Sequence, residues 1–315
     1  MNSLIISIIG RKGGQTSDSK HKDLYDRLIK FAEAVYDRGH QPLFETQTVM
    51  NLLKGSAFLK KNKSRLKISN FDEIAVNSDI CIIMGGDGTI LDAAKSLIIT
   101  KRCDIPLLGI NLGKVGFLTD ISNETDPHDI ITMLESKEYV VEKRTMLKQS
   151  GIIRHDVIGD KLALNDVVIS RSTGKIIEFS VFINDIFAYT ARGDGVIIAT
   201  PSGSTAYALS GGGPIIHPLS EVIEIVPIMA QSMSTRPLII NDSNKIKIKL
   251  LSGAAEIFID GIMRTDMQIG EIINVEKSKR TINLIHSTSE KLIYNFYDVL
   301  SKKLNWHYVP GSPRE

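Results

Sequence analysis

Five consecutive residues, Gly85-Gly86-Asp87-Gly88-Thr89, separate an apolar run ending at Met84 from a helical pattern beginning at Ile90. A strand, a glycine turn and a helix in that order make an anion site. Glycine lets backbone N–H groups approach a phosphate closely, and a helix start supplies N–H groups that lack a carbonyl partner. Gly85, Gly86, Gly88 and Thr89 are the candidate phosphate loop. The pattern is neither the P-loop, which ends in Gly-Lys-Ser/Thr, nor the dinucleotide fingerprint. Asp87 is the informative residue, because a carboxylate among phosphate-cradling amides repels the ligand unless it has another task. It could accept a proton from an attacking hydroxyl, or hold Mg²⁺ against the phosphates. Thr89 is placed to cap the helix and Asp92 to favour its first turn. A structural turn, with Asp87 and Thr89 as ordinary turn and cap residues, accounts for the same pentapeptide.

A second group follows the apolar run 196–199. It reads Thr200-Pro201-Ser202-Gly203-Ser204-Thr205-Ala206-Tyr207-Ala208-Leu209-Ser210, then Gly211, Gly212, Gly213 and Pro214. Ser202, Ser204 and Thr205 offer hydroxyls, and Tyr207 offers a face on which a base could stack. If residues 205–210 form one helix, Ala206 and Ser210 share a face with room for a flat ligand. The competing reading is a surface loop rich in turn residues. A third segment, Leu164-Asn165-Asp166-Val167-Val168-Ile169, places two polar residues in a run that otherwise reads as a buried strand. Burying them without partners costs roughly 1–3 kcal/mol each. Ribose hydroxyls of a ligand could supply the partners, and so could a hairpin turn or strand-start cap.

The elements that carry these groups differ between the halves. In the N-terminal part, short apolar runs at 4–9, 43–46, 79–84 and 106–110 alternate with helical patterns. Leu24, Leu28, Phe31 and Val35 recur at helical spacing before Gly39, and residues 90–99 form another such stretch. This alternation predicts a parallel sheet covered on both faces, a Rossmann-like α/β domain. From Thr145 the rhythm changes. Lys245, Lys247 and Lys249 alternate with Ile246, Ile248 and Leu250, and Asn184-Asp185 sits between strand-like runs as a tight hairpin turn. Further strands at 256–259, 272–276 and 281–286 suggest a β-sandwich. The expected division is 1–122, with 290–315 returning to it, and 123–289, with a helix at 125–138 bridging the halves. Asp87 would then act with groups from the second half, in a cleft between domains.

Composition narrows the classes. With 38 Lys+Arg against 36 Asp+Glu, the chain lacks the basic excess of a nucleic-acid binder. No apolar run approaches the ~20 residues of a membrane span, and the opening run reads as a strand and not a signal peptide. Cys81 and Cys103 are the only cysteines, which excludes a disulfide scaffold and fits a reducing cytoplasm. The histidines show no ligand spacing, so no structural metal is expected. The basic run Lys54, Lys60, Lys61, Lys63, Arg65 and Lys67 reads as a solvated face, or as an attractor of a polyanion such as a nucleotide triphosphate.

Taken together, residues 85–89, 164–168 and 194–214 resemble the NAD kinase family, with 200–213 the most specific part. Residues 109–120, ending in a Gly-Phe-Leu-Thr run, and 232–238 also look like family segments, so the resemblance covers nearly the whole chain. Diacylglycerol kinases, sphingosine kinases and phosphofructokinases carry similar glycine-Asp-glycine turns. The family resemblance implies phosphoryl transfer from ATP, with Mg²⁺ or another divalent cation, to the 2′-hydroxyl of the adenosine ribose of NAD, giving NADP. It implies that Asp87 accepts the hydroxyl proton and that Asp87 and Gly88 contact the dinucleotide. Asn165 and Asp166 would bind the adenosine ribose or the diphosphate. Asp194, with Arg192 nearby, would contact a base, and Phe117 would pack against one. Thr205, Ala206, Tyr207, Ala208, Leu209 and Ser210 would line the pocket, and Lys175 matches a variable contact position. A homo-oligomer, dimer or tetramer, is implied, without nucleic-acid or membrane partners. Two positions depart from the pattern: Asp166 stands where the family usually has Glu, and Ile262 follows Asp260-Gly261 where the family tends to carry Gln. The alternatives are a lipid kinase of the diacylglycerol or sphingosine type and a non-catalytic NAD(H)-binding sensor.

Overall fold

The computed structural model describes residues 3–10, 19–50, 67–113, 116–119, 121–151, 161–261 and 263–306. Lys54, Lys60, Lys61, Lys63 and Arg65 of the basic run lie outside them, as do His155, Ile262 and His307. The chain divides into two compact units, Met1–Glu142 with Asn283–Glu315, and Lys143–Ile282. Both divisions fall within strands, so no change of composition marks them, and they differ from the expected 122/123 and 289/290.

In the first unit, β1 (Ile5–Gly10), β2 (Gln41–Glu45), β3 (Lys67–Ser69), β4 (Ile80–Gly85) and β5 (Leu107–Asn111) form a parallel sheet in the order β5-β4-β1-β2-β3. The central strands β1, β4 and β5 are almost wholly apolar and buried, whereas the edge strand β3, Lys67-Ile68-Ser69, is largely exposed. Helix α1 (Ser19–Asp37) buries Leu24, Leu28, Phe31 and Val35, and Gly39, at φ +78°, lets the chain turn out of it. Strand β2 ends one residue early because the Glu45 carboxylate accepts from Thr48 N–H and starts a helical turn at Thr46. Helix Pro127–Ser136, capped by Asp126, does not bridge the halves. It packs Ile130, Ile131 and Leu134 into the same core as α1. The terminal helix Phe296–Leu304 also belongs to this unit and buries Phe296, Val299 and Leu300.

The second unit is a β-sandwich. One sheet pairs strands Ile186–Gly193, Ile177–Ile183 and Ile246–Ser252 with the start of Ile272–Ser287. The other runs Leu238–Asn241, Val222–Ile228, Gly195–Ala199, Asp166–Arg171, Ala255–Ile259 and Met263–Met267, all antiparallel. Phe179, Val181 and Ile248 of the first sheet meet Val167, Ile169, Val196 and Ile198 of the second in one core. Asn184 and Asp185 adopt φ +50° and +65°, the conformation of a two-residue hairpin turn. The strands expected at 272–276 and 281–286 are one strand, Ile272–Ser287. Ile273 and Val275 point inward before the charged stretch, whereas Ser278 and Ile282 do so within and after it, so the alternation changes phase near Lys277. Among the described residues no helix is long and apolar enough to cross a membrane.

The outer face of the second sheet carries Val168, Ile197, Ala199, Val226 and Ala208 in a small apolar cluster. Glu224 shares the face of Val226 by strand period and is 0% exposed. Neither of its oxygens has a hydrogen-bond partner among the described residues. Burial pushes its carboxyl from 4.5 up to about 7. A raised value means the folded state holds the proton more tightly than the unfolded chain. The associated stability is complete below the ordinary value and is lost as pH rises through 7. Glu224→Gln therefore gains over the parent as pH rises: the difference in Tm should widen by about 5 °C between pH 4.5 and 8.5, read by thermal melts.

Candidate active site

The glycine turn lies at the carboxyl end of β4, beside the strand pair β1–β4 where the sheet order reverses, the usual ligand end of an open α/β sheet. The helix after it, Asp87–Ile99, starts three residues earlier than the apolar pattern suggested. Gly86 is its N-cap, without a side-chain cap bond, and Asp87 stands at the first helical position, where the helix dipole favours an acid. Thr89 is not the cap. It is buried in the first turn against Gly85, and a Cβ on Gly85 would overlap its hydroxyl. A Cβ on Gly86 or Gly88 would meet nothing within 4 Å, and neither needs positive φ. Their lack of a side chain leaves the backbone open to a ligand.

The Asp87 carboxylate is held by residues 116–119. Oδ2 accepts from Phe117 N–H at 3.0 Å, and Oδ1 accepts from Leu118 N–H at 3.0 Å and Thr119 Oγ1 at 3.2 Å. Gly116 makes this approach possible, since a Cβ there would overlap Oδ1. Thr119 in turn accepts from Asn111 Nδ2 at 2.8 Å. Lys303 Nζ of the terminal helix lies 5.8 Å from the Phe117 ring centroid. Asn111, Gly116, Thr119 and Lys303 are site residues that the motif reading did not single out. Gly116-Phe117-Leu118-Thr119 gave a family likeness, but only the fold brings its N–H groups onto Asp87.

In the second unit, a cavity of about 420 Å³ is lined by Asn165, Asp166, Ala206, Tyr207, Phe258 and Asp260 among others. Asp260, at φ +48°, accepts from the N–H groups of Leu164 at 2.8 Å, Asn165 at 2.8 Å and Asp166 at 3.1 Å. Residues 164–169 are therefore not one buried strand. Leu162–Ala163 ends before a turn, and the strand restarts at Asp166. Asp260, not a ligand, pairs these amides and leaves the Asp166 side chain to the cavity. Asp166 is 4% exposed, and burial, then the Asp260 charge, push its carboxyl up to about 7. Phe258 carried no sequence signal beyond a strand position, because strand period alone does not tell which outer face is covered.

The 200–213 tract sits on the same segment. Thr200 donates through Oγ1 to Leu164 O at 2.6 Å, and Gly203 is glycine because a Cβ would overlap the Asn165 carbonyl. Ser204 and Thr205 donate to Pro201 O and Ser202 O, and Ser202 accepts from Arg144, so these hydroxyls are engaged inside the protein. Residues 205–210 are not one helix. Ser202–Thr205 is a 3₁₀ turn, Ala206 breaks it at φ −102° and ψ −125°, and Tyr207–Ser210 is a single turn. The shared face of Ala206 and Ser210 therefore does not exist. Ala206 and Tyr207, the latter 47% exposed, line the cavity, whereas Ala208 is buried in the apolar cluster; Thr205, Leu209 and Ser210 also stand outside the lining. Asp194 is ion-paired with Arg171 at 2.9 Å, Arg192 lies 3.8 Å from Glu178, and Lys175 is in an exposed turn; none of the three lines the cavity.

Sequence models of the ATP-NAD kinase N-terminal domain and the ATP-NAD kinase C-terminal domain match residues 6–139 and 164–287. The chain belongs to the ATP-NAD kinase family. An NAD kinase of Ralstonia nicotianae is 36% identical over 287 residues, covering 90% of this chain and 89% of the relative. Among solved structures, an NAD kinase from Archaeoglobus fulgidus in complex with ATP aligns with a TM-score of 0.68 at 25% identity, covering 95% of this chain and 99% of that one. Yeast NADH kinase complexed with NADH has the same fold, with a TM-score of 0.79 at 24% identity over 99% of this chain and 89% of that one. Within this ATP-NAD kinase family member, the carboxylate pair gives a direct test. Asp260→Asn removes the charge facing Asp166 and should lower the Asp166 midpoint from about 7, measured by carboxyl ¹³C NMR titration.

Proposed function

We infer that this protein is a phosphotransferase that moves the terminal phosphoryl group of ATP to the 2′-hydroxyl of the adenosine ribose of NAD, giving NADP. The observation that carries the reading is the Asp87 carboxylate, fixed by three donors at a glycine turn on a helix start. A hydroxyl is a weak nucleophile at neutral pH, and a carboxylate positioned to receive its proton promotes attack on phosphorus. Gly86, Gly88 and the free N–H groups of the first helical turn offset phosphate charge. Positioning supplies most of the acceleration, as in other phosphoryl transfers.

Phe117 offers a ring for a base. In the second unit Tyr207 and Phe258 give the cavity aromatic surface, and Asn165 and Asp166 face it with groups suited to ribose or diphosphate oxygens. The shorter Asp166, near neutrality at about 7, can donate as well as accept there. Ala206 supports Tyr207, while Thr205, Ala208, Leu209 and Ser210 shape the tract. Arg192, Asp194 and Lys175 act at the edge of dinucleotide binding. Mg²⁺, or another divalent cation, enters with ATP as part of the donor substrate, bound to phosphate and water. We further propose a homo-oligomer working in a reducing cytoplasm, consistent with two buried, free cysteines.

Incubation with NAD, ATP and Mg²⁺, followed by a dehydrogenase that requires NADP, tests the reading, and separates it from a lipid kinase and from a sensor that binds without turnover. Asp87→Asn should lower NADP formation by about 10³-fold. NAD affinity should stay within about tenfold, ~1.4 kcal/mol, by calorimetry. Because the new amide would oppose one N–H donor, Tm is measured alongside; retained turnover removes Asp87 from the role of proton acceptor.

A further inference from the structure

Both oxygens of Asp87 are anchored, but unequally. Oδ1 receives two donors, Leu118 N–H and Thr119 Oγ1, which fill its lone pairs. Oδ2 receives one among the described residues, Phe117 N–H. The direction of the Thr119 hydroxyl is itself determined. Asn111 Oδ1 accepts from Gly113 N–H at 2.7 Å, which orients the amide. Its Nδ2 then donates to Thr119 Oγ1 at 2.8 Å, so the threonine must turn its own proton to Asp87. Asn111 is buried and Thr119 fully so, and water cannot replace either partner. The frame is local: Asn111 and Gly85 are paired ends of adjacent strands, and a Cβ on Gly109 would press on Thr119 Cα and the Leu118 carbonyl.

We propose that Asn111 and Thr119 are positioning residues that make Oδ2 of Asp87 the atom that receives the substrate's proton. The inference rests on the role of Asp87 given above and specifies it to one atom and two supporting side chains. As the 2′-oxygen bonds to the terminal phosphorus, the bond from that phosphorus to the β–γ bridging oxygen breaks and its electron pair leaves with ADP. The hydroxyl proton moves to the vacant lone pair of Oδ2. Oδ1, with two donors, keeps its contacts throughout, so the carboxyl need not rotate.

Thr119→Val removes the hydroxyl at nearly constant shape and frees a lone pair on Oδ1. The expected result is a kcat lower by about ten- to a hundredfold, the scale of one lost hydrogen bond to a charged group. KM for NAD and ATP should hold within about twofold, and the solvent deuterium isotope effect on kcat should be larger than in the parent. Thr119→Ser should restore kcat to within about threefold, and Asn111→Asp, which draws the threonine proton away from Asp87, should reproduce the Thr119→Val loss. A Thr119→Val enzyme with parental kcat and isotope effect overturns the proposal. So does a variant that loses only Tm or substrate affinity, or a Thr119→Ser enzyme as slow as Thr119→Val. Asp87→Asn, assayed in parallel, distinguishes the two failures: turnover without the carboxylate defeats the proton-acceptor reading itself, whereas an inactive Asp87→Asn beside an unaffected Thr119→Val defeats only the assignment of Oδ2.

Discussion

The grip of residues 116–119 on one carboxylate is the constraint around which the first unit's ligand end is built. An acid at the first position of a helix is favoured by the dipole, but that attraction does not aim it. Aim comes from Phe117 N–H, Leu118 N–H and the Thr119 hydroxyl converging on Asp87. This convergence explains the glycines nearby. Gly116 is excluded from carrying a side chain by Asp87 and Thr119, Gly109 by Leu118 and Ile90, and Gly85 by Thr89. Gly86 and Gly88 have no such neighbour, which leaves the approach of a ligand as the physical use of their small size.

The second unit solves a similar problem with the same chemistry. Asp260 sits in the left-handed region, a conformation acidic and amide side chains tolerate better than most, and collects three backbone N–H groups from the segment opposite. That fixes the wall of the cavity, but it places a negative charge against Asp166. The chain thus uses one fully satisfied carboxylate to position another that is not, and the second one is the one facing the cavity.

What the sequence made legible follows from periodicity. Leu24, Leu28, Phe31 and Val35 on α1, and Ile246, Ile248 and Leu250 beside three lysines, each report one buried face. The pentapeptide at 85–89 and the tract at 200–213 announced themselves by composition, because packing alone does not call for so many glycines and hydroxyls. Illegible were the features set by distant partners. Helix Asp87–Ile99 begins at a polar residue that has no helical apolar signal and is held from 30 residues away. The break at Ala206, at φ −102° and ψ −125°, and the close seating of Gly203 on the Asn165 carbonyl both lie inside a run whose composition alone reads as continuous. Strand Ile272–Ser287 switches its buried positions from Ile273 and Val275 to Ser278 and Ile282, so no single period-two pattern runs through its charged stretch.

The four acids discussed above separate by whether donors reach them. Asp87 receives two N–H groups and one O–H group, and Asp260 receives three N–H groups. Asp166 and Glu224 are held near neutrality at about 7 by burial, yet they differ in one respect. Asp166 opens onto the cavity, so a ligand's hydroxyl or amide can complete its hydrogen bonding, and binding would then stabilise its charged form. Glu224 is shut beneath the tract, with Gly213 against its carboxyl, and does not line the cavity. Ligand binding therefore has no direct means of relieving it. An unsatisfied acid that a ligand can reach is a binding group awaiting its partner, whereas one that a ligand cannot reach carries only the cost of its own burial, so filling the cavity should shift Asp166 and leave Glu224 unchanged.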